Sequence, residues 1–353
     1  MENCEAFVAN IKKKFLSFKF SLKLAITLTF LGLIIWKLGG ISEVVNIMIK
    51  INPFFVVLVV LVNWLDRGLM TYKWLFLLRK KGIYVPFFQG MKIYCASMIW
   101  GIFLPSTIGA DAIRAISVSR KGHNSKDIVA SIVIERMIGF LSALLLGLLG
   151  LLLLSRITNL DQQFDFIWQI GIAMLIAATI LFIVSLSQKT FNFVHGRLLY
   201  SYKKIKIIQK LENLHLSYIT YSNNRKSLYV FFIMTFNEQL MPILHAWLIA
   251  RGLSVDVGLL FVAGVVPLTI LISRLPISID GIGVYDGVFM LLISLTGVSY
   301  SEAIAIVFSG RILQTLSWMP FWCAHVIGSG SIKPSSQVSE KSKEEQVNEI
   351  IVR

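Results

Sequence analysis

Two short stretches place charged side chains directly after a proline–glycine break in otherwise apolar sequence. The first is Leu104-Pro-Ser-Thr-Ile-Gly-Ala-Asp-Ala-Ile-Arg114, followed by Glu135-Arg136. The second is Leu275-Pro-Ile-Ser-Ile-Asp-Gly-Ile-Gly-Val-Tyr-Asp286, preceded by Arg274 and followed by Arg311. A helix that restarts after such a break presents unpaired backbone N–H groups and the positive end of its dipole to an anion. Arginine adds a planar fork matched to phosphate oxygens. Asp111, Arg114, Arg136, Arg274 and Arg311 therefore make a candidate site for an anionic head group, with Pro105, Gly109, Pro276, Gly281 and Gly283 as its breaks or hinges. The carboxylates Glu135, Glu238, Asp280 and Asp286 are candidates for holding the arginines in place or for carrying a coupling proton, and spacing leaves both roles open.

Other chemistries find little support. Cys4, Cys95 and Cys323 show no CxxC spacing, and the five histidines show no HExxH or other paired spacing, so neither a disulfide framework nor a metal site is expected. Asp280 and Asp286 stand six residues apart across a glycine-rich turn, a weak metal pattern at best. The sequence holds no GxxxxGK[ST], hence no phosphate loop of its own, and no cofactor is expected.

The elements that must position these residues are membrane spans. The chain has 353 residues, 56% apolar and 15% charged, with a mean hydropathy of +0.74. Apolar segments near 22–38, 53–78, 87–104, 128–154, 166–186, 228–250, 257–275, 284–298 and 303–328 recur along it. Several are long enough to cross about 30 Å of hydrocarbon, and none alternates as a barrel strand would. The expected class is all-α, a polytopic membrane helix bundle. The net charge of +15 sits between the spans, which orients a membrane protein and argues against nucleic acid as partner. The basic N-terminus runs into 22–38 without a small-residue cleavage site, so that run reads as a retained span.

Charge placement sets the expected topology. If 87–104 crossed the membrane, the loop 188–227, with eight Lys/Arg against Glu212 alone, would fall outside. If 87–104 instead turns back at Leu104-Pro105, Arg79–Lys81, Arg114–Lys126 and that loop all stay in the cytoplasm. A re-entrant hairpin is therefore expected here, and broken backbone at membrane depth must line a protein cavity.

An internal repeat supports the same plan. An offset of 175 pairs Asp111 with Asp286, Gly122 with Gly297, Asp127 with Glu302, Ala130 with Ala305 and Arg136 with Arg311. Upstream, Leu69-Met70 matches Leu240-Met241, and the second copy carries a four-residue insertion between its Pro and its Asp. Repeat one spans about 53–154 and repeat two about 228–328. Their expected relation is inverted topology, with six crossings, two re-entrant hairpins and both termini cytoplasmic. Residues 1–328 form one integral membrane domain on this reading, and 329–353, rich in Ser, Lys and Glu, a disordered cytoplasmic tail.

The ordered blocks at 104–114, 135–136 and 275–286 resemble the lysylphosphatidylglycerol synthase transmembrane-region family. That family is the membrane part of the multiple peptide resistance factor and of many stand-alone flippase-like proteins, and the resemblance runs over roughly 15–328. It departs from the family pattern at Tyr285-Asp286, where Arg-Glu is usual. The resemblance implies movement of phospholipids or isoprenoid-linked lipids between leaflets of the cell membrane, or a membrane module for envelope glycan assembly. It also implies no enzymatic activity, because the aminoacyl transfer of longer relatives resides in a soluble C-terminal domain. Two alternatives stay open at this point. One is a membrane transferase acting on a lipid phosphate; the other is a non-catalytic scaffold with envelope-biosynthesis enzymes as partners. The oligomeric state is not written in the sequence.

Overall fold

The computed structural model describes residues 41–102, 107–119, 123–158, 161–188, 214–274 and 281–329, with isolated positions 29, 32 and 190. Among them there are only helices and turns. In chain order the helices are α1 (Ile41–Met48), α2 (Pro53–Arg79), α3 (Phe87–Ile102), α4 (Thr107–Ser119), α5 (Ser125–Thr158), α6 (Asp161–Ser185), α7 (Arg225–Glu238), α8 (Met241–Gly252), α9 (Leu259–Ser273), α10 (Val284–Ile293) and α11 (Tyr300–Ser329). The fold is an all-α membrane helix bundle, as expected.

Among the described residues, four helical stretches are long and apolar enough to cross a membrane: Pro53–Arg79, Ser125–Ile157, Phe166–Ser185 and Arg225–Gly252. The last comprises α7 and α8, broken at Gln239-Leu240 because Pro242 opens α8 and has no N–H for the preceding turn. The candidate span at 22–38, the hairpin tip at 103–106, residues 275–280 and the tail after 329 lie outside the described residues.

Both breaks separate pairs of short helices. α3 and α4 have 16 and 13 residues, and α9 and α10 have 15 and 10. At 1.5 Å per residue each falls short of about 30 Å, so none crosses the hydrocarbon as a straight helix. α3 and α4 pack closely enough that a Cβ on Gly101 would stand 2.9 Å from Ala110 Cβ. Each pair leads into a long helix, α5 starting at Ser125 and α11 at Tyr300, which are 175 positions apart. The helix starts thus follow the sequence repeat.

The apolar core has a cluster within the first half and a larger one that joins the second half to α2 and α5. Trp74, Leu78, Tyr94, Val118 and Ile128 cluster in the first half, while Ile249, Val265, Phe289, Ile304 and Ala305 lie in a larger cluster in the second. α5 and α9 form the most intimate seam between the halves. A Cβ on Gly150 would meet the Gly264 carbonyl oxygen at 2.7 Å, and one on Gly264 would meet Leu154 Cγ at 2.6 Å. Apolar surface gives helices no reason to separate from lipid, so close backbone approach through small residues is what such a seam needs. α6 packs on α5 with its spanning window otherwise unburied, a lipid-facing helix.

Candidate functional site

The first repeat closes one arginine in and leaves another open. Arg114, on α4, is 1% exposed and lies against the rings of Trp74 and Tyr94, at 4.7 and 4.6 Å from their centroids. It pairs with Glu135 at 2.9 Å and Asp111 at 3.2 Å, while the Tyr94 hydroxyl donates to Glu135 at 3.0 Å. A guanidinium held by two aromatic rings and two carboxylates braces α4 against α2, α3 and α5. Arg136 is one residue beyond Glu135, and its side chain is 51% exposed. Its Nε and Nη2 donate to the two oxygens of Asp111, at 2.9 and 3.0 Å, a fork that leaves Nη1 for another oxygen.

The second half pairs the matching residues, with both nitrogens on one carboxylate oxygen. Arg311, on α11, donates to Asp286 from Nε and Nη2 at 3.0 and 2.8 Å. Donor and acceptor are 25 residues apart in both copies. The surroundings differ. The second Asp286 oxygen accepts the Gly283 N–H at 2.7 Å, capping α10, whereas Asp111 turns toward Arg114. The Tyr285 ring, at the position where the resemblance departs, lies 5.6 Å from the Arg311 guanidinium.

The two copies meet at Gly139. Arg274, exposed at the C-cap of α9, donates to the Gly139 carbonyl at 2.8 Å, and Gln239 donates to the same oxygen at 3.0 Å. Gly139 is three residues along α5 from Arg136, and the two arginines lie within electrostatic reach of each other. Arg274, from the other half of the protein, thus docks on the same stretch of α5 that carries Arg136, and both guanidinium groups are half-open.

Of the other residues singled out from the sequence, Gly109 is half-buried on α4, and Gly281 and Gly283 have φ of 75° and 82°, backbone that side chains other than glycine's adopt only at a cost. Pro105, Pro276 and Asp280 lie outside the described residues. Glu238 is buried against Lys73, with Nζ 2.6 Å from Oε2. Among the described residues no cluster of three or more His, Cys, Asp or Glu could hold a metal ion.

Sequence reasoning missed Lys73 and His245. Lys73 stands in the middle of an apolar run, which is signal enough, since a lone cation there needs a partner. His245 shows itself only in space: its Nδ1 lies 2.8 Å from Asn63 Oδ1, across 182 residues.

The profile of the family described as "Lysylphosphatidylglycerol synthase TM region" matches residues 20–321. A UPF0104 membrane protein of Methanocaldococcus jannaschii is 23% identical over 284 residues, covering 78% of this chain and 84% of its own. A UPF0104 membrane protein of Methanothermobacter thermautotrophicus is 24% identical over 323 residues, covering 86% of this chain and 92% of its own. No solved structure matches. The matched span takes in both proline–glycine breaks, both aspartate–arginine pairs and the α5–α9 seam, and this integral membrane protein belongs to the lysylphosphatidylglycerol synthase transmembrane-region family.

Proposed function

We propose that this protein moves an anionic lipid, a phospholipid or an isoprenoid-phosphate-linked lipid, between the leaflets of the cell membrane in envelope lipid or glycan biogenesis. It does so without catalysis, as a multi-pass protein with both termini in the cytoplasm and membrane lipids as its direct partners. The observation that carries this reading is that two half-open arginines from different halves of the chain stand on one stretch of α5, Arg274 donating to Gly139 three residues from Arg136. Arg136 stands about 16 Å along α5 from Ser125, deep in a helix about 50 Å long. An open cation at that depth is costly in hydrocarbon unless it faces water or an anion. A head group held there leaves its tails free to stay in the bilayer. The ion pair with Asp111 balances Arg136 when no lipid is present, while Arg274 donates to the Gly139 carbonyl.

The test uses purified protein in liposomes carrying a fluorescent anionic lipid in both leaflets, with a membrane-impermeant quencher added outside. Wild type should allow quenching beyond the outer leaflet. Arg136→Ala and Arg274→Ala should slow it about tenfold or more, the loss of one charge-assisted contact each, while both variants keep the wild-type melting profile. Wild type no faster than protein-free liposomes, with both phosphatidylglycerol and polyprenyl-phosphate probes, would end this reading in favour of a scaffold.

A further inference from the structure

The repeats differ where Arg114 and Glu135 stand in the first copy. The offset of 175 puts Phe289 and Gly310 at those positions in the second. The charged plug is thereby replaced by a space. A cavity of about 270 Å³ opens there, walled by Asn63, Asp66, His245, Tyr285, Gly310 and Arg311 among others. Gly310 keeps it open against His245, because a Cβ there would lie 3.0 Å from Nε2.

The wall fixes the histidine's tautomer. Ser317 Oγ donates to the Leu313 carbonyl and so accepts from Asn63 Nδ2 at 3.1 Å. That turns Asn63 Oδ1 toward His245 Nδ1 at 2.8 Å, and an amide oxygen only accepts. Nδ1 therefore carries the proton, and the Nε2 lone pair faces the cavity beside Gly310. A second acceptor waits nearby: Asp66 Oδ1 is buried with no hydrogen-bond partner, although Oδ2 holds Arg67.

The fixed charges around His245 cancel. On α2 Asp66 pairs with Arg67, and Lys73 pairs with Glu238 of α7. Asp286 of α10 pairs with Arg311 of α11, and α9 contributes Ser273 to the wall while Arg274 beside it turns to Gly139 of α5. On α3, Tyr94 stands behind Arg67. An anion entering this balanced space alone would be a buried, uncompensated charge. His245 is the wall group whose free Nε2 lone pair can take up a proton and so add one positive charge.

We propose that this cavity binds a singly charged phosphodiester together with one proton, the phosphodiester held by Arg311 and the proton taken on His245 Nε2. The charge count selects a diester over a monoester, because one proton balances one fixed negative charge. The linkage makes the occupied cavity neutral, so its contents can change sides without leaving net charge behind. The ligand is either a lipid head group or a soluble phosphodiester; the lipid source rests on the translocation reading, the site itself does not.

The experiment is isothermal titration of the full chain in nanodiscs with dimethyl phosphate and with dihexanoyl-phosphatidylglycerol. Neither probe titrates between pH 6 and 8, and each run is repeated in buffers of different ionisation enthalpy to count protons. Wild type should take up about one proton per probe at pH 7.5, and its affinity should fall about tenfold per pH unit across the range in which that proton is taken up. His245→Gln should bind without proton uptake, since an amide can still meet Asn63 but cannot titrate. Gly310→Ala should weaken binding about tenfold or more, by putting a methyl group into the wall. Melting curves separate these effects from misfolding, and His245→Asn repeats the test should His245→Gln fail to fold.

Wild-type binding without proton uptake would overturn the proposal. So would uptake that persists in His245→Gln, unchanged affinity in folded Gly310→Ala, or no binding of either probe at about 10 mM, a concentration that already senses weak sites. Binding of the lipid probe alone would assign the site to a head group, and binding of both to phosphodiesters at large. Proton-linked binding without leaflet exchange in liposomes would sink the translocation reading and leave this one standing.

Discussion

Glu238 is the residue whose two sequence-level roles, brace or proton carrier, can be separated most directly. Its side chain is 8% exposed and that of Lys73 3%, with 2.6 Å between Oε2 and Nζ and the Phe231 ring 5.8 Å from the ammonium. Glu238→Gln keeps the shape and removes the charge. Stranding one member of a buried pair costs about 3–5 kcal/mol. The new amide oxygen can still accept from Lys73, which returns about 1 kcal/mol, so the expected loss is about 2–4 kcal/mol. Lys73→Leu with Glu238→Leu removes both charges and should come back to within about 1 kcal/mol of wild type. Reversible unfolding in mixed micelles measures all the variants, and the double-mutant cycle should give a coupling of at least about 2 kcal/mol. A single-variant loss below about 1 kcal/mol, or a double variant as unstable as the sum of the singles, would refute the reasoning. Leaflet exchange in the double variant then decides the role: retained exchange makes Glu238 a brace, and lost exchange in a stable protein makes it a carrier.

Three further outcomes are expected. Gly264→Leu should destabilise by about 1–3 kcal/mol through overpacking against Leu154 and the Gly150 carbonyl, while Gly287→Ala, with nothing within 4 Å, should be close to neutral in the same unfolding assay. Asp286→Asn should cost about 2–3 kcal/mol, because Asp286 is 1% exposed and serves both Arg311 and the α10 cap. Asp111→Asn should cost about 1 kcal/mol, since Arg114 keeps Glu135 and half-open Arg136 keeps water. Burial pushes the Lys81 ammonium down from its ordinary 10.5, against the opposing pull of Asp127. The unfolded chain then binds more protons than the folded one just below pH 10.5, so stability should rise with pH in that window, and Lys81→Met should flatten the rise.

Much of this architecture is legible in the residues, for identifiable reasons. The apolar runs of α2, α5 and α6 report themselves, since span length is set by the bilayer. The offset of 175 finds the matched aspartates and arginines, and the structure shows each pair bonded across the same 25 residues. The inside of each pair was not legible. Nothing in the spacing says that Arg114 lies against Trp74 and Tyr94, because those contacts join helices whose crossing depends on every side chain between them. The break at Gln239-Leu240 hides within an apolar run, although Pro242 marks it in hindsight. His245 looks like an ordinary lone histidine until Gly310, 65 residues on, is seen to leave it room.

The glycine seam between α5 and α9 has a mechanical consequence. Where the Gly150 and Gly264 backbones touch, no Cβ stands between them, and Leu154 and Leu271 seat over Gly264 and Gly147 on either side. Sliding one helix along the other drives Leu154 or Leu271 into backbone, whereas a small rotation about the point of contact disturbs little. The closest backbone approach, at Gly150 and Gly264, is thus a pivot point within an interface that also joins α2 to α8 and α3 to α11. Whatever widens a gap on one side of that point must narrow one on the other.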